Sequence, residues 1–499
     1  MPSPRGLGSA VLAVGVALAG ACVSPGGNGT GTGGAGGGTA GARATGTGGA
    51  AGATGPGGGG GPAGAAGRAG SGAGGGGAAG SGGASTPGTA GAGGGGAGAT
   101  AGSAGTAGGA GAGGGAAGAG GGSPAIVIPG AGHCLPPTGA RTADATAAYQ
   151  KWKTDLLTSD GAGGFLRVRR PNSSGAQVNS SVSEGIAYGM LLAVYFDDQP
   201  TFDGLWQYSK LWPDSNGLMN WYIAADGSSA LGTGGATDAD EDMAFALIMA
   251  DARWKGRGSL STNYLDLAKT QIGLIWQHEV DHTRNDVLMP GDQFADGSVI
   301  NISYFAPAFY RAFGRTAGTA SNWNRTIDTT YTVIAATLNA TNGNAQNGLV
   351  PAWSTPAGVP MSPPNESMPT YHQLDSCRTP FRLGQDYCWN AEPRALTYLQ
   401  KITGFYSGVG VAAMVDGYDL NGAPHPTNVT TGGPRAASFV GPAGVGAMAT
   451  GTTYATLRDQ AYASVATLTD LAGSTYYQES WTALSLLMMT GLMSDLGAP

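Results

Sequence analysis

The sequence predicts an all-α fold, a large helical toroid, carried behind a long disordered leader. Three observations predict it. From Thr142 onward apolar residues recur at three- and four-residue steps, the period of a helix that faces a core. Strand-like alternation is scarce, and about ten to thirteen helical stretches can be marked, more than a four-helix bundle uses. Up to Pro124, by contrast, the chain is almost pure Gly, Ala, Ser and Thr, with no Asp or Glu and only Arg5, Arg43 and Arg68 for charge.

That leader cannot bury enough apolar surface to offset the chain entropy lost on ordering. It lacks the strict Gly-X-Y period of collagen, so it reads as a flexible spacer over residues 22–124. Its first 21 residues read as an export signal: Arg5, an apolar run from Ala10 to Gly20, then the small-residue cleavage pattern Ala19-Gly20-Ala21. Cys22 follows at once, where a lipid-modified cysteine would stand and tether the protein to a membrane. Simple secretion is the alternative reading, because Leu is missing three residues before Cys22. A secreted or cell-surface location follows from either. Export permits disulfides, and Cys134, Cys377 and Cys388 are the candidates in the folded part. On one unbroken helix Cys377 and Cys388 would stand roughly 16 Å apart, too far to bridge. Pro380 interrupts such a helix and leaves that pair open.

Residues 125–499 form the folded unit. All ten Trp lie there, and its length is ample for one large domain. The whole chain has a net charge of −7, which becomes −10 without the three leader arginines. A domain this acidic repels nucleic acid and suits a neutral or cationic substrate. In order along the chain, Tyr149, Trp152, Leu156 and Leu157 mark the first helix, and Glu184 to Phe196 the next. Asp240 to Trp254 is apolar nearly all round and therefore buried. Further helices are expected at Leu265–His278, Tyr304–Phe313, Ile327–Leu338, Ala395–Tyr406, Tyr454–Leu471 and Tyr477–Leu492, with loops such as Ala225–Gly235 and Val359–Ser367 between them.

Three segments carry carboxylates. In "SVSEGIAYGM", Ser181 and Glu184 have capping-box spacing. Glu184 also reads as a general acid, because a carboxyl at an apolar helix start beside Tyr188 is partly desolvated and keeps its proton near neutrality. "ATDADEDMAFALIMADARW" places Asp238, Asp240, Glu241 and Asp242 at the head of a buried helix. Acids there meet the helix dipole favourably, but their mutual repulsion calls for a purpose or for cationic partners. A calcium loop beginning at Asp238 fails, since Met243 and Met249 stand where Gly and Glu are needed. In "LDSCRTPFR", Asp375 reads either as a helix cap paired with Arg378 or as a base that the arginine keeps ionised.

These segments resemble glycoside hydrolase family eight. Ala236 through Trp254 matches that family's signature at every defined position, and the "SEG" around Glu184 resembles its acid motif. "NGLMNW" ending at Trp221, "SYFAPAFYRAF" from Ser303, "DSCRTPFR" from Asp375 and "YYQESWTALSLLMM" also resemble family segments, in the family's order, over roughly Thr142 to the end. The resemblance implies an (α/α)6 barrel with an open cleft across one end. It implies an endo-acting, inverting β-1,4-glucanase with Glu184 as proton donor, Asp375 as base and Asp238 holding the distorted sugar. Trp221 would stack on a sugar ring, Arg378 would orient Asp375 or touch the sugar, and Tyr188, Tyr304 and Tyr477, or Tyr476 in its place, would line the cleft. The partner is a polysaccharide: cellulose or another β-glucan, with chitosan and xylan as alternatives. The protein is expected to be a monomer that needs no cofactor or metal. An inverting enzyme keeps its two carboxyl groups about 6.5–9.5 Å apart to admit water. Leu374 departs from the pattern, standing where several relatives carry Tyr, so one cleft contact is expected to be missing.

Two rival readings remain. "HEVDH", His278 to His282, fits the zinc-peptidase pattern with Glu279 as base. Apolar periodicity stops immediately after it, however, and no third ligand follows at a known spacing. A carbohydrate-binding protein without catalysis is the other, opposed by the intact Glu184, Asp238 and Asp375.

Overall fold

The computed structural model describes residues 133–173, 175–364, 366–426, 436–468 and 476–498. The export signal, Cys22 and the Gly/Ala spacer lie outside the described residues. Twelve α-helices are present among those described: α1 (Thr142–Leu156), α2 (Ser183–Tyr195), α3 (Gln199–Ser209), α4 (Thr237–Trp254), α5 (Tyr264–His278), α6 (Pro307–Ala317), α7 (Ala320–Thr337), α8 (Thr379–Asn390), α9 (Pro393–Val409), α10 (Ala437–Met448), α11 (Ala455–Ala466) and α12 (Tyr476–Met489).

The even-numbered helices close a ring. Each packs on the next, α2 on α4, α4 on α6, α6 on α8, α8 on α10, α10 on α12 and α12 back on α2. The odd-numbered helices lie outside, α1 against α12 and each of the others against the even helix before it. Six inner and six outer helices are the expected (α/α)6 barrel. The sequence dictates which helix goes where. In α2, α4, α10 and α12 apolar residues run all round, so these bury nearly every side chain between ring neighbours and an outer helix. In α9 only one stripe is buried, Ala395, Tyr398, Leu399, Ile402, Thr403 and Tyr406, the spacing of a helix with one face to solvent.

Strands are short. Ser181–Val182, Tyr222–Ile223 and Ala230–Gly232 form a small antiparallel sheet beside the start of α2, with Val182 opposite Tyr222. Three other two-stranded ribbons stiffen loops.

Several expectations change. The apolar spacing does not predict α3, α8 or α10. In α10 the segment "ASFVGPAGVGAM" is rich in helix breakers, yet all of it is buried. A Cβ on Gly441 would lie 2.4 Å from Ser485 Oγ and one on Gly444 would lie 2.9 Å from Ala461 Cβ, so these glycines let α12 and α11 pack close. The helix expected from Tyr304 starts only at Pro307, with a 3-10 turn, Ile302–Tyr304, before it. Proline suits the first helical turn, where its missing N–H is not needed. The same rule corrects the reading of Pro380. It lies in the first turn of α8 and interrupts nothing. Cys388 bonds instead to Cys134 across 254 positions, with Cα atoms 5.3 Å apart, and Cys377 stays a buried free thiol.

Candidate active site

The carboxylates of interest stand where inner helices begin. Glu184 and Asp238 are the second residues of α2 and α4, Tyr476 and Tyr477 open α12, and Asp375 leads through a 3-10 turn, Ser376–Arg378, directly into α8. Ser303 and Tyr304 precede α6 in the same way. Helix N-termini carry partial positive charge and unpaired N–H groups, so this end of the barrel is built to hold anions. One case is direct: the Ala239 N–H donates to Asp238 Oδ1 at 3.0 Å.

Arg378 ties the elements together. Its side chain is 1% exposed. Nη1 donates to Glu184 Oε2 at 2.7 Å and to Asp238 Oδ2 at 2.5 Å. Nη2 donates to Ser303 Oγ at 2.8 Å and lies 3.8 Å from Asp375 Oδ1. The Tyr304 ring lies 5.0 Å from the guanidinium carbon, close enough for a cation–π contact. Because the guanidinium is planar and small, the contacts of 2.7 Å and 3.8 Å bring Glu184 Oε2 and Asp375 Oδ1 within about 9 Å of each other.

The carboxylates differ in environment. The Glu184 side chain is 13% exposed and that of Asp375 24%. Burial pushes the Glu184 carboxyl up to about 7, the nearby Asp238 adds to the rise, and Arg378 opposes it. Tyr476 donates its hydroxyl to Glu184 Oε1. Asp375 is held from its own strand of chain: Gln373 Nε2 donates to Asp375 Oδ2 at 2.9 Å, and the Asp375 N–H donates back to Gln373 Oε1 at 3.0 Å. Sequence reasoning missed Gln373. A carboxamide two residues before an aspartate is an available signal, since both can close such a loop.

Tyr188 and Tyr477 are buried beneath this layer. The Tyr188 hydroxyl meets Arg378 Nη1 at 3.2 Å, and Tyr477 donates to the Leu374 carbonyl at 2.6 Å. Both therefore hold site residues in place. At Leu374 it is the backbone that serves the site; its side chain is 8% exposed. Trp221 is pinned next to Glu184 by its backbone, since the Ser183 N–H donates to the Trp221 carbonyl at 2.9 Å. A Cβ on Gly232 would lie 2.4 Å from the Trp221 ring, so glycine there lets the indole lie along the strand.

The acidic cluster on α4 disperses. Asp242 pairs with Arg382, Nη2 to Oδ2 at 2.8 Å, Glu241 Oε2 accepts from Tyr310 at 3.0 Å, and Asp240 Oδ1 accepts from Gln271 at 2.8 Å. Burial pushes Asp240 and Glu241 well above the usual carboxylate range, which favours their neutral forms. Repulsion is thus eased by Arg378 and Arg382, by Lys210 facing Asp240, and by burial that favours the neutral forms of Asp240 and Glu241.

The zinc-peptidase pattern is not on a helix. α5 ends at His278, and Val280–Asp281 is already strand. His282 bonds Asp286 through Nδ1 at 2.7 Å, and Glu279 is buried away from it beside Asp240. Among the described residues no group of three His, Cys, Asp or Glu side chains could hold a metal ion.

The chain is similar to a family of known proteins. The model of a family described as glycosyl hydrolases family 8 matches residues 135–491. Endoglucanase A of Acetivibrio thermocellus is 37% identical over 354 residues, covering 70% of this chain and 69% of that protein. Endoglucanase 2 of Ruminiclostridium josui is 37% identical over 350 residues, covering 70% and 71%. Among solved structures, an apo β-1,3-1,4-glucanase from Paenibacillus sp. X4 superposes with a TM-score of 0.64 at 28% identity, over 73% of this chain and 96% of that one.

Proposed function

Given that the chain belongs to glycosyl hydrolase family 8 and is a glycoside hydrolase, we propose that it cuts internal β-1,4 linkages of a glucan, cellulose or a mixed-linkage β-glucan, in one inverting step. The observation that carries this reading is the single buried guanidinium of Arg378, which Glu184, Asp238 and Asp375 all approach.

Glu184 is the proton donor. With its carboxyl raised to about 7, roughly half of it holds a proton at pH 7 and more of it below, and the Tyr476 hydroxyl donates to Oε1 once the proton has left. As the bond from the anomeric carbon to the leaving oxygen breaks, that oxygen takes the proton. Asp375 is the base. Its greater exposure admits a water, from which it takes a proton as the water oxygen attacks the anomeric carbon from the opposite face. The separation, at most about 9 Å, is compatible with the about 6.5–9.5 Å that such a water requires. Asp238, held by Arg378 and by the start of α4, faces the developing oxocarbenium charge. Trp221 and Tyr304, 8% and 7% exposed, offer sugar C–H groups only a small part of their rings.

The same proposal includes export through residues 1–21, release or a lipid tether at Cys22, and action as a monomer. A reducing-sugar assay on a soluble cellulose derivative, mixed-linkage β-glucan, xylan and chitosan tests the substrate. Turnover of the first two supports the reading. The acidic folded domain favours chitosan as the second candidate, and hydrolysis of chitosan alone would overturn the glucanase proposal in its favour.

A further inference from the structure

We infer that the outer wall of the barrel carries a second, non-catalytic site for an uncharged glycan chain, in the hollow between the end of α5 and the first half of α7. The hollow has a volume of about 680 Å3. It is lined by the indole of Trp276 and by polar groups that include Asn285, Asn322, Arg325 and Asp328. None of these residues belongs to the layer around Arg378.

The chemistry selects the ligand. The charges are neutralised within the protein: Arg325 Nε pairs with Asp286 Oδ2 at 2.6 Å, and Asp328 Oδ1 pairs with Arg394 Nη1 at 2.8 Å. An ionic ligand would compete with these pairs, whereas a neutral one need not. Two carboxamides match sugar hydroxyls, with Asn322 Oδ1 also 3.5 Å from Arg325 Nη1, and the part of the Trp276 indole left uncovered by His282 and Trp323 matches the C–H face of a pyranose. The partly open shape of the hollow suits a segment of chain rather than a small molecule that must be enclosed.

The loop that forms one side is also built to a fixed shape. Asn285 and Asp286 are consecutive non-glycine residues at φ 57° and 56°, a conformation that costs free energy and that their surroundings must enforce. Thr329 on α7 enforces it by donating to the Asn285 carbonyl at 2.5 Å, and buried Asp286 accepts from Arg325 and bonds His282. The far end of the same loop reaches the catalytic layer, where Thr237 at the start of α4 donates to the Met289 carbonyl at 2.8 Å. A polymer held on the wall would thus be kept near the end of the barrel that cuts it.

This inference rests on the glucan reading above. The experiment is native electrophoresis of the full chain in gels containing neutral hydroxyethylcellulose or mixed-linkage β-glucan, with Glu184→Gln as background so that the polymer survives. Trp276→Ala and, because that indole also packs on Trp323, the surface change Asn322→Arg are added separately. Each is expected to weaken retardation by about tenfold in apparent affinity. In the otherwise native enzyme, the same changes should leave kcat/KM on a short soluble oligosaccharide within about twofold. Retardation unchanged in both variants overturns the site. If the background protein is not retarded and the native enzyme hydrolyses neither polymer, the glucan reading fails and takes the site with it.

Discussion

Arg378 Nη1 lies 2.7 Å from Glu184 Oε2, and yet Glu184 holds its proton up to about pH 7. A cation at this distance favours the carboxylate, so burial must outweigh it. The balance leaves an acid that is substantially protonated up to about pH 7 and can be stabilised as an anion once the proton has left.

The first prediction follows from that value. Only protonated Glu184 can donate, so kcat/KM should fall above about pH 7, approaching tenfold per pH unit. Glu184→Gln should lose about 10²–10⁴ in kcat and abolish this limb while keeping the native circular dichroism spectrum. A basic limb unmoved by the substitution would assign it to another group.

Gln373 should act through Asp375. Gln373→Leu removes the donor at 2.9 Å and the acceptor that fixes the Asp375 backbone. The expected result is a kcat reduced about tenfold with KM nearly unchanged, the signature of an interaction that matters in the transition state. Gln373→Asn should not recover activity, because its shorter side chain cannot reach both atoms. Equal loss of kcat and of thermal stability would mark a purely structural role.

Stability should decline in mild acid because of His372. This imidazole is buried, with Nδ1 donating to the Val350 carbonyl at 2.9 Å and Nε2 accepting from the Tyr406 hydroxyl at 3.0 Å. Burial depresses it from 6.5 to about 4. The unfolded chain takes up a proton below 6.5 while the folded one does not. Stability is therefore complete above 6.5 and falls by about 3 kcal/mol as pH drops toward 4. Urea titrations at several pH values measure it, and His372→Gln should flatten that part of the slope.

The bridge between Cys134 and Cys388 closes a loop of 254 positions and fastens the chain entering α1 to the end of α8. Cys134→Ser with Cys388→Ser should cost about 2–5 kcal/mol, seen as a lower urea midpoint, without changing kcat. An unchanged midpoint would mean that this entry segment contributes little to the cooperative fold.

Much of this was legible in the sequence because the same residues serve fold and chemistry. The head of α4 declares itself: acids in front of an unbroken apolar helix must be buried with it, so each needs a cation, a proton or a catalytic task. What stayed hidden depends on contacts distant in sequence. α10 looks like a loop, since Gly441, Pro442, Gly444 and Gly446 oppose a helix until α11 and α12 are packed against it. The partner of Cys388 lies 254 positions away, and nothing local announces it. Arg378 was visible as a neighbour of Asp375, but its shorter contacts are with Glu184 and Asp238, which come from other helices. The upward push on the Asp240 and Glu241 carboxyls likewise follows from burial that only the assembled ring provides.

The most direct test of the two-carboxylate account is the configuration of freshly released product, followed by proton NMR before mutarotation. With Glu184 and Asp375 on opposite faces of the bond and a water between them, cleavage of a β-linkage should give the α-anomer first. Release of the β-anomer would mean that an enzyme nucleophile attacked the sugar, and would contradict the role given to Asp375.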